Sequence, residues 1–176
     1  MADPIQSGQH GLAPAFNFRV TLRRSGGGRP SARPDALPEL LGDGGFQECS
    51  GLEVEMDAHE LKEGGRNNGV VRLVGRGKYA SIVLKRGMFH PPEGKVSSEL
   101  WRWIQSVLGG TRPVVRYDGT VEVLDARGER AGRTLATWSF TRALPQKVRG
   151  PELNAATGAI AIEELVLVHE GLRLEA

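Results

Sequence analysis

The fold is predicted mainly from the sequence FQECSGLEVEMDAHELKEGG at residues 46–65 and from LKRG at residues 84–87. A strand is predicted over residues 46–57, and it is interrupted at Ser50-Gly51 before an acidic segment and a glycine pair. A glycine inside a strand usually marks a bulge or a corner. We therefore expect the chain to turn at Gly51 from one sheet to another, and the layout is typical of a building block rather than of a catalytic site.

Composition favours a β-rich globular protein. The 176 residues suit a single domain over residues 1–176, and 24 glycines with 10 prolines indicate many turns between short elements. The 23 basic and 21 acidic side chains give a net charge of +2, too balanced to indicate nucleic-acid or membrane binding by itself. One cysteine, Cys49, excludes an internal disulfide and suits a reducing compartment. With no long apolar run and no signal-peptide pattern, we expect a soluble protein made in the cytoplasm.

Hydrophobic periodicity predicts one helix and a series of strands. The helix is expected over residues 98–108, where one apolar stripe holds Leu100, Trp103, Ile104, Val107 and Leu108. Strands are expected at residues 16–23, 46–57, 70–74, 81–88, 114–117, 120–125, 134–141 and 160–174. Leu144-Pro145 is expected to end the strand before it. Two turns compete for the central hairpin, Asp118-Gly119 and residues 126–129, and the longer flanks favour the second.

Two segments show no pattern of regular structure. The polar residues 1–14 are expected to form an N-terminal arm without structure of its own. Residues 24–45 form an insertion rich in glycine and proline, with Arg29 and Arg33 in its basic first half. A connection of this length is either functional or disordered. We favour disorder in the free protein, with the apolar residues 37–41 anchoring the insertion on a partner.

No catalytic, cofactor or metal site is predicted, and we expect no enzyme activity. His59-Glu60-Leu61-Lys62-Glu63 begins like the helix of a zinc protease, but Glu63 stands where the second histidine is required. Gly75-Arg76-Gly77-Lys78 has the residue types of a phosphate loop without its spacing, so we interpret it as a basic turn. Cys49 has no activating neighbour in the sequence, so a small buried residue is expected there.

Two tryptophans lie on the predicted helix. Trp103 belongs to the apolar stripe and is expected in the core. Trp101 lies off the stripe, so it either covers a sheet edge or contacts a neighbouring subunit. Exposed tryptophans are enriched at interfaces, which makes Trp101 a candidate contact residue.

The opening stretch, together with the blocks that follow it, resembles the tail-tube family of contractile phages and of phage-like extracellular contractile injection systems. The similarity runs in the family's order from residue 16 to residue 174. Its blocks are FQECSGLE at 46–53, EGGRN at 63–67, LKRG at 84–87, LWRW at 100–103, WSF at 138–140, LPQK at 144–147, GPELNA at 150–155, IEEL at 162–165 and HEGL at 169–172. The sequence departs from the family at residues 24–45, where such proteins usually have a tight turn.

The resemblance implies a mainly β fold of two packed antiparallel sheets, a sandwich or barrel with one flanking α-helix, as in type VI secretion tube proteins. It implies homohexameric rings that stack into a hollow inner tube within a phage-like particle. The implied partners are other copies of the chain, sheath, baseplate hub or spike and terminator proteins, and protein cargo in the lumen. It implies no membrane anchor and, outside a true phage, no specific nucleic acid. The candidate subunit or ring contacts are Glu63, Gly64, Gly65, Arg66, Asn67, Trp101, Arg29 and Arg33.

Two roles within this family stay open at the level of sequence. The chain is either the major tube subunit, repeated along the tube, or a tube initiator next to the baseplate, and the insertion slightly favours a specialised position. Closing sheets into a ring removes exposed strand edges, which agrees with either role. An alternative of a different class is a monomeric β-barrel binding module for a ligand or nucleic acid, whose basic loop contacts phosphates.

Overall fold

The structure is a computed structural model that describes residues 13–26, 37–41, 45–62, 64–65, 69–88, 90, 94–126, 132–156 and 158–175. Most of the predicted N-terminal arm lies outside these residues, as do Arg29 and Arg33. The elements within them are β1 (Phe18–Arg24), β2 (Leu40–Leu41), β3 (Phe46–Ser50), β4 (Val54–Leu61), β5 (Val71–Tyr79), β6 (Ile82–Gly87), α1 (Glu99–Leu108), β7 (Tyr117–Leu124), β8 (Thr134–Arg149), β9 (Ile162–Val168) and β10 (Gly171–Glu175).

The body of the protein is one continuous antiparallel arrangement that folds into two sheets. Its strands follow the order β2-β1-β7-β8-β9-β6-β3, and β10 also pairs with β8. The first part of β8 pairs with β7 and β10, whereas residues 144–149 pair with β9. Because β8 belongs to both sheets, it joins them at one corner, and the predicted fold of two packed antiparallel sheets with one helix is confirmed.

The core lies between the two sheets, and α1 covers it. Its fully buried side chains come from both sheets and from the helix, and they include Leu22, Phe140, Ile82, Leu84, Leu165, Leu167, Leu100 and Trp103. The indole N–H of Trp103 donates to the carbonyl oxygen of Val115 at 3.0 Å, and its ring meets that of Tyr117 edge-on at 4.7 Å. The predicted core position of Trp103 is therefore confirmed.

Helix α1 follows the predicted stripe except at its end. Leu100 and Trp103 are buried, Ile104 and Val107 are half-buried, and Leu108 is exposed. Leu108 was predicted on the apolar stripe, but it is the last residue of the helix and its side chain is exposed there. Within the described residues, no helix combines the length and the apolar character that a membrane crossing requires.

The predicted corner at Gly51 is confirmed. Strand β3 pairs with β6 in the body, whereas β4 pairs with β5 in a separate two-stranded sheet. Gly51 has φ +84°, and a Cβ built there would overlap the carbonyl oxygen of Ser81. Glycine is required because it alone adopts this backbone freely and leaves room for the neighbouring strand.

Two strand predictions near the C-terminus are wrong for one reason. Strand β8 does not end at Leu144-Pro145 but continues to Arg149, and the predicted strand at 160–174 is broken between β9 and β10. Arg142 has φ 55°, and the register shifts between Pro145 and Lys147. A proline fits a strand at such an irregularity. Because β8 bends between sheets, the strands that pair with it also divide between sheets.

The central hairpin joins β7 to β8, as the favoured turn at residues 126–129 predicts, although residues 127–131 lie outside the described chain. Asp118-Gly119 lies inside β7 instead of forming a turn. A Cβ at Gly119 would overlap the ring of Phe140, so this glycine serves close packing across the pair of strands.

The described end of the insertion belongs to the body. Leu37 and Leu41 are buried in the protein's own core, and β2 pairs with β1. The hydroxyl of Tyr117 donates to the carbonyl oxygen of Pro38 at 2.7 Å. The prediction that residues 37–41 anchor the insertion on a partner is therefore wrong, since these apolar side chains fill the space beside β1.

Candidate assembly surface

The most exposed regular structure is the hairpin of β4 and β5, which we call the arm. In the described chain, β4 and β5 form a two-stranded sheet of their own, and their residues are all exposed or half-buried. Strand β5 continues through Gly75-Arg76-Gly77-Lys78, so the basic turn predicted there is wrong. Gly75 and Arg76 together oppose Asp57, which makes a bulge, and the strand continues through the bulge with its glycines.

The zinc-protease interpretation fails on geometry, because His59 and Glu60 lie on a strand instead of a helix. No group of three or more histidine, cysteine, aspartate or glutamate side chains in the described residues is placed to hold a metal ion. Cys49 on β3 is half-buried, and burial raises the pKa of its thiol to about 11. A thiol held in its neutral form is a poor nucleophile, as expected for a packing residue.

The arm has two different faces, because opposed residues of an antiparallel pair share a face and faces alternate along each strand. The first face carries Val54, Met56, Ala58 and Glu60 of β4 with Tyr79, Gly77, Val74 and Arg72 of β5. The second face carries Glu55, Asp57, His59 and Leu61 of β4 with Lys78, Leu73 and Val71 of β5.

The first face is apolar near the body, where the described residues leave it exposed, and it carries the ion pair of Arg72 with Glu60 towards the tip. Val54 is 58% exposed, Met56 60% and Val74 79%, and the ring of Tyr79 is also partly exposed. A contiguous exposed apolar surface of this kind marks an interaction site. An isolated two-stranded hairpin is marginally stable in water, so the arm gains most from a partner that covers this face.

The second face is charged near the body and apolar towards the tip. The ammonium of Lys78 lies 2.9 Å from a carboxylate oxygen of Asp57. The hydrogen bond and the charge of Asp57 raise the pKa of Lys78 above its ordinary value. Leu61 and Leu73 leave this face apolar farther out.

The root of the arm is tied to the body through His169. Its ring nitrogens lie 3.1 Å from the carbonyl oxygen of Ala80 and 3.0 Å from that of Gly171. Its ring also packs between those of Tyr79 and Phe140, at centroid distances of 5.3 and 5.8 Å. These contacts hold the root of the arm, at the end of β5, against the corner between β9 and β10.

The structure places the predicted contact residues at different points. Gly64 and Gly65 lie in a turn between β4 and β5. Glu63, Arg66 and Asn67, like Arg29 and Arg33, lie outside the described residues. Trp101 is half-buried, with its ring 3.5 Å from where a Cβ of Gly150 would stand, so it covers the end of β8. A subunit contact through its remaining exposed surface stays a prediction.

Sequence reasoning missed the apolar first face. The alternation of Val54 and Met56 with Glu55 and Asp57 correctly indicates a strand with one apolar face. That alternation does not tell whether the face is covered by the chain itself. Strand β5 extends past Val74 to Tyr79, which completes this face. The sequence did not predict this extension, because Gly75 and Gly77 favour a turn.

A two-sheet body, a covering helix and an exposed two-stranded arm define the class as a β-sandwich with one flanking helix. The chain belongs to the T4-like virus tail tube protein gp19 family, whose model matches residues 14–173. The resemblance that the sequence blocks indicated is thereby confirmed.

Solved structures of the same fold come from contractile injection systems. One is a chain of the 6-fold symmetrised baseplate of the anti-feeding prophage (AFP), with a TM-score of 0.73 and 20% identity over 94% of this chain and 97% of that chain. Another is a chain of the PVC sheath-tube complex in the extended state, with a TM-score of 0.70 and 22% identity over 94% of this chain and 92% of that chain. A chain of the AFP tube-terminating cap gives a TM-score of 0.70 and 20% identity over 98% of this chain and 95% of that chain. No curated protein matches the sequence at a significant level.

Proposed function

We propose that this tail-tube family member forms homohexameric rings that stack into the hollow inner tube of a contractile injection system or phage-like tail. The observation that carries the proposal is the arm, whose apolar first face has no cover within the described residues. A head-to-tail contact repeated with sixfold rotation covers one arm on each subunit and closes into a ring. The family role is structural, and we propose that the chain has no catalytic activity of its own.

The tip of the arm fits a contact between stacked rings. Gly64 and Gly65 put a turn of small residues at the far end of the hairpin, and neither has a neighbouring atom within 4 Å of a built Cβ. The charged segment Glu63 to Asn67 then lies at or next to this tip in sequence. We propose that it reaches the adjacent subunit or ring.

The proposed partners beyond the chain itself are sheath, baseplate hub or spike and terminator proteins, with protein cargo in the lumen. The related folds come from a sheath-tube complex, a baseplate and a tube-terminating cap, which supports the sheath, baseplate and terminator proteins in this set. The proposal covers both the major tube subunit and the baseplate-proximal initiator, and the chains of similar fold come from a sheath-tube complex and from a baseplate.

Imaging and sedimentation of the purified chain test the proposal. Negative-stain micrographs over a concentration series are expected to show sixfold rings or stacked tubes, with a matching shift in sedimentation. Addition of the protein to purified sheath protein is expected to give sheath-covered tubes. A species that stays monomeric at the highest concentration, and that binds nucleic acid in a salt-sensitive manner, would contradict the proposal and favour a binding module.

A further inference from the structure

The direction of the arm relative to the body depends on a short root. Among the described residues, β4 and β5 pair only with each other. The chain leaves the body through residues 51–53 and returns through Ala80 and Ser81. The N–H of Ala80 donates to the carbonyl oxygen of Glu53 at 3.3 Å, so the two segments of the root are held to each other. An arm on such a root can pivot as a unit unless the body fixes the root.

The turn between β9 and β10 supplies a contact that fixes the root. Nε2 of His169 lies 3.1 Å from the carbonyl oxygen of Ala80, and the imidazole packs against the ring of Tyr79, the last residue of β5. On its other side the same imidazole packs against Phe140 of the core. Ala80 therefore has both main-chain polar groups engaged, one with the other segment of the root and one with the body.

The next residue of this turn, Glu170, is anchored to the body. One of its carboxylate oxygens lies 2.7 Å from Nε of Arg142, and the other lies 2.8 Å from Nη1 of Arg116. Its backbone N–H donates to the carbonyl oxygen of Thr141 at 3.0 Å. Single exposed ion pairs add little stability, but a carboxylate that accepts from two guanidinium groups and a backbone bond beside it together hold one geometry.

Arg142, to which Glu170 is attached, lies at a rigid corner of β8. Its φ of 55° is in the left-handed region, which a residue with a side chain adopts at a cost. The N–H of Arg142 donates to Oδ1 of Asp118 at 2.7 Å, and its carbonyl oxygen accepts from Arg116 at 2.9 Å. The hydroxyl of Ser25 donates to the same oxygen of Asp118 at 2.6 Å. A strained backbone persists only where the surrounding contacts determine it, so this corner is a firm anchor.

We propose that His169 and Glu170 form a clamp that sets the direction of the arm, with the corner at Arg142 as its anchor. The inference rests on the proposed ring, and it names residues that position the arm instead of residues that touch the neighbouring copy. The clamp connects the root at Ala80 to the body through two consecutive residues of one turn.

A fixed direction helps assembly in two ways. An arm that is already oriented loses less conformational freedom when a neighbouring copy binds it, which lowers the concentration at which rings form. Head-to-tail contacts close into a ring only when the rotation between neighbours has one particular value, and other rotations give open assemblies. An arm that is held at one angle therefore favours closed rings over open ones.

Distance measurements between two spin labels on a single subunit test the clamp. In a Cys49→Ala background, labels are attached to Arg72→Cys on the arm and to Lys147→Cys on the body, two positions that are exposed. Below the concentration that gives rings, the chain with the native turn is expected to show one narrow distance distribution.

Variants of the turn are then compared in this labelled chain. His169→Ala and Glu170→Ala are each expected to widen the distribution by about twofold, because the root or the turn loses the contacts that hold it. Glu175→Ala on β10 is the matched control, since Glu175 is an exposed glutamate that accepts from the hydroxyl of Ser139 at 2.7 Å, away from the root. It is expected to leave the distribution narrow.

Assembly provides the second readout. Without labels, His169→Ala and Glu170→Ala are each expected to raise the concentration at which rings form by about tenfold and to give open assemblies in negative-stain micrographs. His169→Gln keeps a side-chain donor for Ala80 and is expected to recover most of the ring formation that His169→Ala loses. Urea unfolding of each variant at low concentration separates loss of assembly from loss of folding. If His169→Ala does not fold, Glu170→Ala carries the test, because the side chain of Glu170 is exposed.

The results distinguish this inference from the proposed function. A distribution that stays narrow in both alanine variants, or that is already wide with the native turn, overturns the clamp and leaves the tube role intact. Wider distributions with unchanged ring formation overturn the positioning role in assembly. Failure of the unmodified chain to form any ring overturns the proposed function, whereas the distance distributions still decide whether the turn holds the arm.

Discussion

The ion pair between Arg86 and Glu163 joins neighbouring strands inside the body. The two side chains are 6% and 1% exposed, and Arg86 Nε donates to Glu163 Oε1 at 2.5 Å. The second carboxylate oxygen of Glu163 is buried with no hydrogen-bond partner in the described residues. Both charges were desolvated on folding, so each depends on the other for compensation.

Loss of one charge from this pair is expected to be costly. Glu163→Gln keeps the shape but leaves the guanidinium buried without a counter-charge, and we expect the free energy of unfolding in urea to fall by about 3 kcal/mol. The matched control is Glu164→Gln on the same strand, because Glu164 pairs with the exposed Lys147 at 3.3 Å. That change is expected to cost less than about 1 kcal/mol. Equal effects of the two substitutions would contradict a special role for the buried pair.

Tyr117 is expected to make stability fall at alkaline pH. Burial raises the pKa of its hydroxyl from 10.0 to about 12. Between these values the unfolded chain releases the proton while the folded chain holds it, so the free energy of unfolding falls as pH rises. Urea unfolding from pH 9 to pH 12 in a Cys49→Ala background measures this slope without the thiol. Tyr117→Phe is expected to flatten the slope, and to cost about 1 kcal/mol at pH 7 through loss of the bond to Pro38. Identical slopes with and without the hydroxyl would show that Tyr117 does not carry the effect.

At the scale of elements, Gly51 decides where β3 ends and the arm begins. Gly51→Ala is expected to lower the free energy of unfolding by at least about 2 kcal/mol, because the methyl group meets both an unfavourable φ and the carbonyl of Ser81. Gly65→Ala is the matched control, with φ +89° and open space around its Cβ. We expect it to cost about 1 kcal/mol from the backbone alone. Comparable urea midpoints for both variants would mean that the corner relaxes around the methyl group.

The elements that the sequence predicted well are those with a single environment along their length. Helix α1 and strand β6 each present one face to one core, so periodicity alone locates them. The ends of β5, β8 and β9–β10 were predicted wrongly. Strand β5 continues through a bulge, and β8 passes from one sheet to the other, so that its partners β9 and β10 are separate strands. In a sequence, glycine and proline indicate the end of a strand. In the structure, pairing with a neighbouring strand keeps β5 extended at Gly75 and β8 extended at Pro145.

For the whole molecule, the exposed arm implies that assembly and folding respond to different substitutions. Val74→Asp is expected to abolish or strongly weaken ring formation, because it puts a charge in the middle of the apolar first face. The same change is expected to alter the unfolding free energy of the monomer by no more than about 0.5 kcal/mol, since Val74 is exposed there. Sedimentation and negative-stain imaging measure the first effect, and urea unfolding at low concentration measures the second.

The matched control for this prediction is Val74→Ile, which keeps the face apolar and is expected to retain rings. Normal rings from Val74→Asp would contradict the assignment of the first face as an assembly surface. Loss of rings together with a large loss of monomer stability would show that the arm is packed in the single subunit.

The β-rich class, the helix, the corner at Gly51 and the family could be predicted before folding was considered, because they depend on local periodicity, backbone freedom and the order of short blocks. Which apolar faces are covered could be seen only in the folded chain. Leu37 and Leu41 turned out to fill the protein's own core, whereas Val54, Met56 and Val74 are left on the surface. The alternation of apolar and polar residues along a strand shows which face is apolar. Whether the same chain or another copy removes that face from water depends on how strands distant in sequence pack.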